Sequence, residues 1–434
     1  MRDHTYSQPA DTGHLPRHTA FERPLTREEL VAWHRRARTR SRALFQIPVE
    51  DAWYDRPIPL RNPIVFYEGH LPAFAVNTLV KLARNERGID PRLESLFEQG
   101  IDPEDETAVR DPAETWPARE EVQAYARAAD AMIERALLEL GDEPVQIEAA
   151  ANIIEHEFMH QETLLYMFHN MPYERKRRPA ASSPTPAAAG RDRGAPKVVR
   201  IPRGRATLGG DPSHFGWDNE FPQHVVHVDA FEIDCFNVSN GDYLEFMDAT
   251  GAASPHFWVR DEGKWFWRGM FEPVALPLDW PVYATHEEAE AYARWRGRRL
   301  PSEAEYHRAA FGTPSGEERR FPWGDERPDP TRGNFDFASW DPRPAGSWPA
   351  GASAWGVHDL VGNGWEWTST IFDGFRGFQP MATYRRYSAN FFDGQHYVIK
   401  GASPATAREL IRGSFRNWFR PNYPYVYATF RCAR

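Results

Sequence analysis

Residues 171–198, MPYERKRRPAASSPTPAAAGRDRGAPKV, carry no hydrophobic period and are rich in Pro, Ala and Arg. Such a stretch offers no face to a core and reads as a linker. It divides the chain into halves of unlike texture. Upstream, apolar residues recur at helical spacing; downstream, they fall in short alternating runs. The chain's 434 residues also exceed the size at which one core stops growing, which agrees with separate domains. Within the linker, Lys176-Arg177-Arg178 reads as a solvated charge run.

The upstream half predicts four long helices. Thr26-Arg27-Glu28-Glu29 is a capping-box pattern, and a helical stretch follows to about residue 46. A second helix is expected over 62–84, a third over 116–140 with Pro117 in its first turn, and a fourth over 145–169. Residues 88–113, rich in Asp, Pro and Gly, read as a long loop with short helical pieces. Four such helices suggest a bundle. Residues 1–24 read as a flexible arm. Downstream, VVRIPRGRATLGGD and HVVHVDAFEIDCFNVS predict short strands. One helix is expected over 286–295 and another from Pro301-Ser302-Glu303, within an irregular α+β domain.

Lys and Arg total 52 against 62 Asp and Glu, a net charge of -10. This excludes the basic footprint of a nucleic-acid binder, while leaving small anionic substrates open. There is no apolar run that spans a bilayer and no signal-peptide core, so a soluble, cytoplasmic and monomeric protein is expected. Two cysteines, Cys235 and Cys432, make no disulfide framework; both are expected to be buried and inert.

The strongest chemical signal is IIEHEFMHQETLLYM. His156 and His160 stand four residues apart and share a helix face, so both imidazoles can reach one metal. Glu162 lies roughly 200° around the helix from His160 and suits a supporting role better than ligation. A third ligand is expected from His70 in the apolar segment VFYEGHLPAFAV. Three neutral nitrogens leave coordination positions open, which suits zinc with water or iron(II) with oxygen and substrate. His224 and His227 are read as sharing a strand face, as a lesser metal pair.

The spacing His156-x-x-x-His160-x-Glu162, with a histidine on an earlier helix, resembles the helical domain of ergothioneine-pathway sulfoxide synthases. Several downstream segments resemble the formylglycine-generating-enzyme (sulfatase-modifying factor) fold. They are Ile201-Pro202-Arg203-Gly204, the run Arg299–Glu305 (RLPSEAE), Phe321-Pro322-Trp323-Gly324, Gly362–Thr368 (GNGWEWT) and Phe430-Arg431-Cys432. The formylglycine generators place a cysteine pair before the terminal arginine motif. This chain has none there, so the resemblance implies their fold without their chemistry.

The resemblance implies a DinB-like four-helix bundle over 25–170, followed over 199–434 by an irregular, C-type-lectin-like α+β domain. It implies iron(II) held by His70, His156 and His160. With oxygen, a thiol would be joined to imidazole C2 of hercynine, Nα-trimethylhistidine, to give a sulfoxide. By motif position, Tyr384 belongs beside the iron. Tyr387, Asn417 and Trp418 belong with hercynine, whose trimethylammonium group suits a tryptophan face. Phe419 and Tyr423 stand where relatives using γ-glutamylcysteine carry aspartate and arginine. This opens other donors, including free cysteine or a selenosugar that would give selenoneine. An ovothiol-type synthase acting on histidine is a further branch. Arg420, Arg84 and Arg87 are candidates to grip a carboxylate. Asn363 and Glu366 either hold a structural calcium, as in related domains, or serve structural hydrogen bonding. Two other classes compete: a zinc-dependent DinB-type thiol transferase and a non-catalytic binding module.

Overall fold

The computed structural model describes residues 17–21, 23–98, 116–179 and 198–434. Helix α1, Arg27–Leu44, opens on Thr26, whose hydroxyl accepts from Glu29 N while the Glu29 carboxylate accepts from Thr26 N, as the capping box predicted. Helix α2, Ile64–Ala75, is buried along its whole length and continues as a π-helix over Val76–Ala83. The periodicity over 62–84 did not reveal that change of winding. Helix α3, Pro91–Leu96, is a helical piece inside the expected loop, N-capped by Asp90. Helix α4, Arg119–Leu138, starts later than the residue 116 expected, and α5, Pro144–Asn170, begins with proline in its first turn. Helix α1 packs on α4 and α5, and α2 packs on the same two.

The described part of the expected arm is packed. His18 is 1% exposed, and its Nε2 donates to Glu155 Oε1 at 2.5 Å. Residues 1–16 and 22 lie outside the described residues, as do 99–115 and 180–197 of the expected loop and linker. The charge-run reading fails at Lys176. That side chain is buried, and its Nζ donates at 3.0 Å to the carbonyls of Phe168 and His169 in the last turn of α5.

The downstream half is a mixed helix-and-sheet structure. Strand β1, Val198–Ile201, pairs antiparallel with β4, Phe231–Asp234, and β2, Gly204–Leu208, with β3, His224–Val228. An antiparallel trio follows: β5, Trp258–Asp261, β6, Lys264–Arg268, and β7, Pro273–Ala275. The largest sheet has the order β10-β9-β8-β11, from Asn417–Phe419, Tyr397–Ala402, Gly364–Ile371 and Ala428–Thr429. Helices α7, His286–Trp295, and α8, Glu303–Phe311, lie where expected, each with a capping box. Helix α6, Asn240–Thr250, escaped the sequence reading. Its signals were present: Ser239 with Asp242 as a capping box, and Gly251 left-handed at its end.

Helix α5 is the member common to both halves. Trp365 Nε1 and the Ser403 and Thr406 hydroxyls all donate to the buried Glu162 carboxylate, at 2.6 to 2.9 Å. One turn and more upstream, Arg412 donates to both Glu155 oxygens, and Trp217 Nε1 donates to Glu155 Oε2 at 2.7 Å. The far end is fixed where His169 meets the Tyr427 hydroxyl at 3.0 Å and the Arg268 carbonyl at 2.5 Å. Because these partners come from separate strands and loops of the downstream half, α5 sets where those segments stand relative to its own histidines.

Candidate metal centre

Helix geometry puts His156 and His160 on one face of α5, with ring centroids 4.4 Å apart. His70 comes across from α2, its ring 5.1 Å from His156 and 4.8 Å from His160. One nitrogen from each of the three can be chosen so that all lie within 4.8 Å of one another, the one such cluster among the described residues.

His70 is oriented by its neighbours. Its Nδ1 lies 2.7 Å from the Phe97 carbonyl, which can only accept, so Nδ1 carries the proton and Nε2 is left with the lone pair. That Nε2 faces His160 Nε2 at 3.2 Å. Two nitrogens each about 2.1 Å from one ion stand about 3.0–3.4 Å apart, so this spacing fits a shared metal. Gly69 makes the arrangement possible. A Cβ there would come within 2.4 Å of the Phe97 ring, so only glycine lets Phe97 close on α2 and present its carbonyl to His70.

Burial pushes all three imidazoles toward the neutral form. It takes His70 down to about 4, even against the Phe97 carbonyl. It takes His156 well below the ordinary value, with His160 and His70 adding to the shift. His160 is lowered in the same way, with His70 and Arg61 contributing. Neutral imidazole is the form that binds a metal. His160 Nδ1 is buried without a hydrogen-bond partner in the structure, and the Phe74 ring stacks on His156 at 3.5 Å. The donor set and its apolar walls therefore fit a three-histidine metal centre with open positions.

Two aromatic flanks border the cluster. On one side the Tyr384 ring lies 6.3 Å from the His156 ring and 5.2 Å from Phe74. Tyr387 is 5.7 Å from Tyr384, stacks on Trp217 at 4.1 Å and donates its hydroxyl to Met159 Sδ at 3.3 Å. Burial pushes its phenol well above the ordinary value, as do the nearby carboxylates, so it stays protonated. Trp418 meets Tyr387 edge-on at 5.3 Å and stacks on Phe372 at 4.2 Å. Asn417 Oδ1 accepts from Trp418 N at 2.9 Å.

The second flank begins one residue beyond Trp418 on β10, where the half-buried Phe419 stacks on Tyr423 at 5.1 Å. Arg61, which the sequence reading missed, donates from Nη2 to the Tyr166 hydroxyl at 2.7 Å and from Nε to the Tyr423 hydroxyl at 3.2 Å. Its only local signal was an arginine just ahead of an apolar helix. Trp217 and Asp218 were missed as well, because they come from an irregular loop.

Other expectations resolve differently. Arg420 is exposed and donates to Gln395 Oε1 at 3.1 Å; Arg87 is also exposed. Arg84 is corrected as a carboxylate-gripping candidate. It donates to the Ala136 and Glu139 carbonyls and pairs with the Glu86 and Glu139 side chains at the end of α4. His224 and His227 do not share a face: three residues apart on β3, they point to opposite sides, His224 half-buried and His227 exposed. Glu162 bonds to the downstream half rather than to a histidine. Asn363 exchanges hydrogen bonds with the backbone of Arg343, both at 2.9 Å, and Glu366 forms a two-point pair with Arg431 at 2.7 Å. Cys235 and Cys432 are buried thiols outside any disulfide among the described residues.

Residues 183–434 match the family described as sulfatase-modifying factor enzyme 1-like domain. The chain is 34% identical to a hercynine oxygenase of Mycolicibacterium thermoresistibile, over 91% of this chain and 92% of that protein. It is also 34% identical to a hercynine oxygenase of Mycobacterium tuberculosis, over 94% and 99%. An ergothioneine biosynthesis protein 1 of Schizosaccharomyces pombe is 28% identical over 87% of this chain and 52% of its own length.

Proposed function

The chain belongs to the hercynine oxygenase family, and we propose that it is an iron(II)- and oxygen-dependent synthase forming a carbon–sulfur bond at imidazole C2 of hercynine. The observation that carries this reading is the convergence of His70, His156 and His160 on one point, with His70 Nε2 and His160 Nε2 3.2 Å apart. The atoms balance as hercynine C–H, thiol S–H and O2 going to the sulfoxide and water.

In this reading the three histidines hold the metal in their neutral form. Bound iron(II) supplies oxygen activation and positions where both substrates can gather. Tyr384, whose ring lies 6.3 Å from that of His156, would supply a proton or an electron from its phenol. Tyr387, Trp217 and Trp418 offer aromatic faces to the trimethylammonium group. Asn417 and the strand it belongs to set the edge of that pocket, and Phe419 with Arg420 continues it. Asp218 adds a carboxylate nearby. Burial raises its pKa to about 6, which weakens the acid but leaves it mostly charged at neutral pH. Phe74 and Phe66, stacked on His156 and His70, keep bulk water from the ligands.

A second reading concerns the donor. Phe419 and Tyr423 form a stacked pair, 5.1 Å apart, where synthases using γ-glutamylcysteine carry an acid and an arginine. That favours a donor other than γ-glutamylcysteine, free cysteine or a selenosugar.

The test is anaerobic loading with iron(II), then hercynine and oxygen with cysteine, γ-glutamylcysteine or a selenosugar in separate reactions. Mass spectrometry of a hercynine adduct identifies both the bond and the donor. No adduct with any donor, together with preferential retention of zinc, would overturn the reading in favour of a thiol transferase.

A further inference from the structure

Tyr384 sits in a loop, and loops hold side chains less firmly than helices do. Yet the residue before it is tied down on three sides. Thr383 is 5% exposed. Its hydroxyl donates to Glu148 Oε1 at 2.6 Å and accepts from Asn152 Nδ2 at 3.0 Å, while its backbone N–H donates to the same Glu148 oxygen at 3.1 Å. Asn152 also reaches Met381 Sδ at 3.4 Å. Asp218 holds the two ends of the same loop, accepting from Met381 N at 3.5 Å and from the Ser388 hydroxyl at 2.5 Å.

Glu148, Asn152, His156 and His160 are spaced four apart along α5, so they form one row up one face of the helix. The lower two residues of the row belong to the metal centre and the upper two grip Thr383. The loop that carries Tyr384 is therefore measured off from the same helix that carries two ligands. None of these Thr383 hydrogen bonds goes to a histidine. Asn152 is completely buried, and it spends its amide N–H on this loop.

We propose that Thr383, held between Glu148 and Asn152, is a positioning residue that sets the Tyr384 phenol at its distance from His156. Losing the hydroxyl frees the loop by a fraction of an ångström to an ångström, and misplacement on that scale costs about ten- to a hundredfold in turnover.

This inference rests on the proposed function for its kinetic readout. Thr383→Val is compared with Thr383→Ser, each also in a Tyr384→Phe background. Thr383→Val is expected to lower kcat about ten- to a hundredfold, with iron content and the hercynine KM unchanged. Thr383→Ser restores it, and in the Tyr384→Phe background the Thr383→Val loss disappears. Losses that simply multiply, or a serine that fails to rescue, would overturn the proposal. A second measurement does not depend on the reaction. Nitration of Tyr384 by tetranitromethane, followed by peptide mass spectrometry, is expected to be faster in Thr383→Val than in wild type or Thr383→Ser. Equal rates would overturn the proposal even if no hercynine adduct is ever found.

Discussion

His156 has Phe74 against its ring face and two other histidines at its edge, so its environment offers nothing to stabilise a charged imidazole. A histidine in such a place is held by a metal or is a liability. His156→Ala is expected to abolish stoichiometric iron binding by elemental analysis while leaving the circular dichroism of the helices intact. Bound iron at wild-type stoichiometry would remove His156 from the ligand set. The sequence disclosed this pair because the i, i+4 spacing on a helix fixes two side chains without reference to the rest of the fold. It could not disclose Arg61, Trp217 or Asp218, whose positions depend on irregular segments packing from a distance. Arg84 misled for the complementary reason: an arginine near a helix end finds backbone carbonyls close by, and here it took those of α4.

At the scale of elements, the third ligand, His70, depends on α2 and the end of α3 meeting at Gly69. Gly69→Ala forces the Phe97 ring away and with it the 2.7 Å bond from His70 Nδ1. Metal affinity is expected to fall about 10- to 100-fold by competition with a chelator, as for other losses of a partner that orients a ligand. Unchanged affinity would mean that His70 needs no such support. Helix α5 carries a second dependence. Burial alone would raise the Glu155 carboxyl, but Arg412 and His18 outweigh it and hold it at about 2. Its contribution is therefore fully present above the ordinary value of 4.5 and is lost as pH falls toward 2. Arg412→Met leaves Glu155 and Glu220 buried together without their cation and is expected to cost about 3–5 kcal/mol near pH 7. Protonation relieves that repulsion, so the loss of Tm should shrink as pH is lowered toward 4. A deficit that does not vary with pH would contradict this account. The first helix was legible because its cap announces it at Thr26, whereas the same signal at Ser239 went unread. The π-helical turn over Val76–Ala83 was not legible, since its apolar spacing resembles that of an α-helix over so short a run.

Across the whole molecule, the contacts of Glu155, Glu162 and His169 join the halves through buried polar groups rather than a wet surface. Glu162→Leu strands the donors on Trp365, Ser403 and Thr406 in the interior and is expected to lower stability by about 3 kcal/mol. Calorimetry should show one transition in wild type and either one lowered transition or a split in the variant. Two transitions already present in wild type would mean that the halves fold independently. The change of texture at the linker was plain in the sequence, but the depth of this union was not, because it is written mostly in residues more than 200 positions apart. That separation bears on synthesis. Glu155 and Arg412 are 257 residues apart, and ribosomes add about 5–20 residues per second. The nascent helix thus waits on the order of ten to fifty seconds with a carboxylate that cannot yet be buried. During that interval the three histidines are already made, while the helix that carries two of them still lacks the cation for its carboxylate.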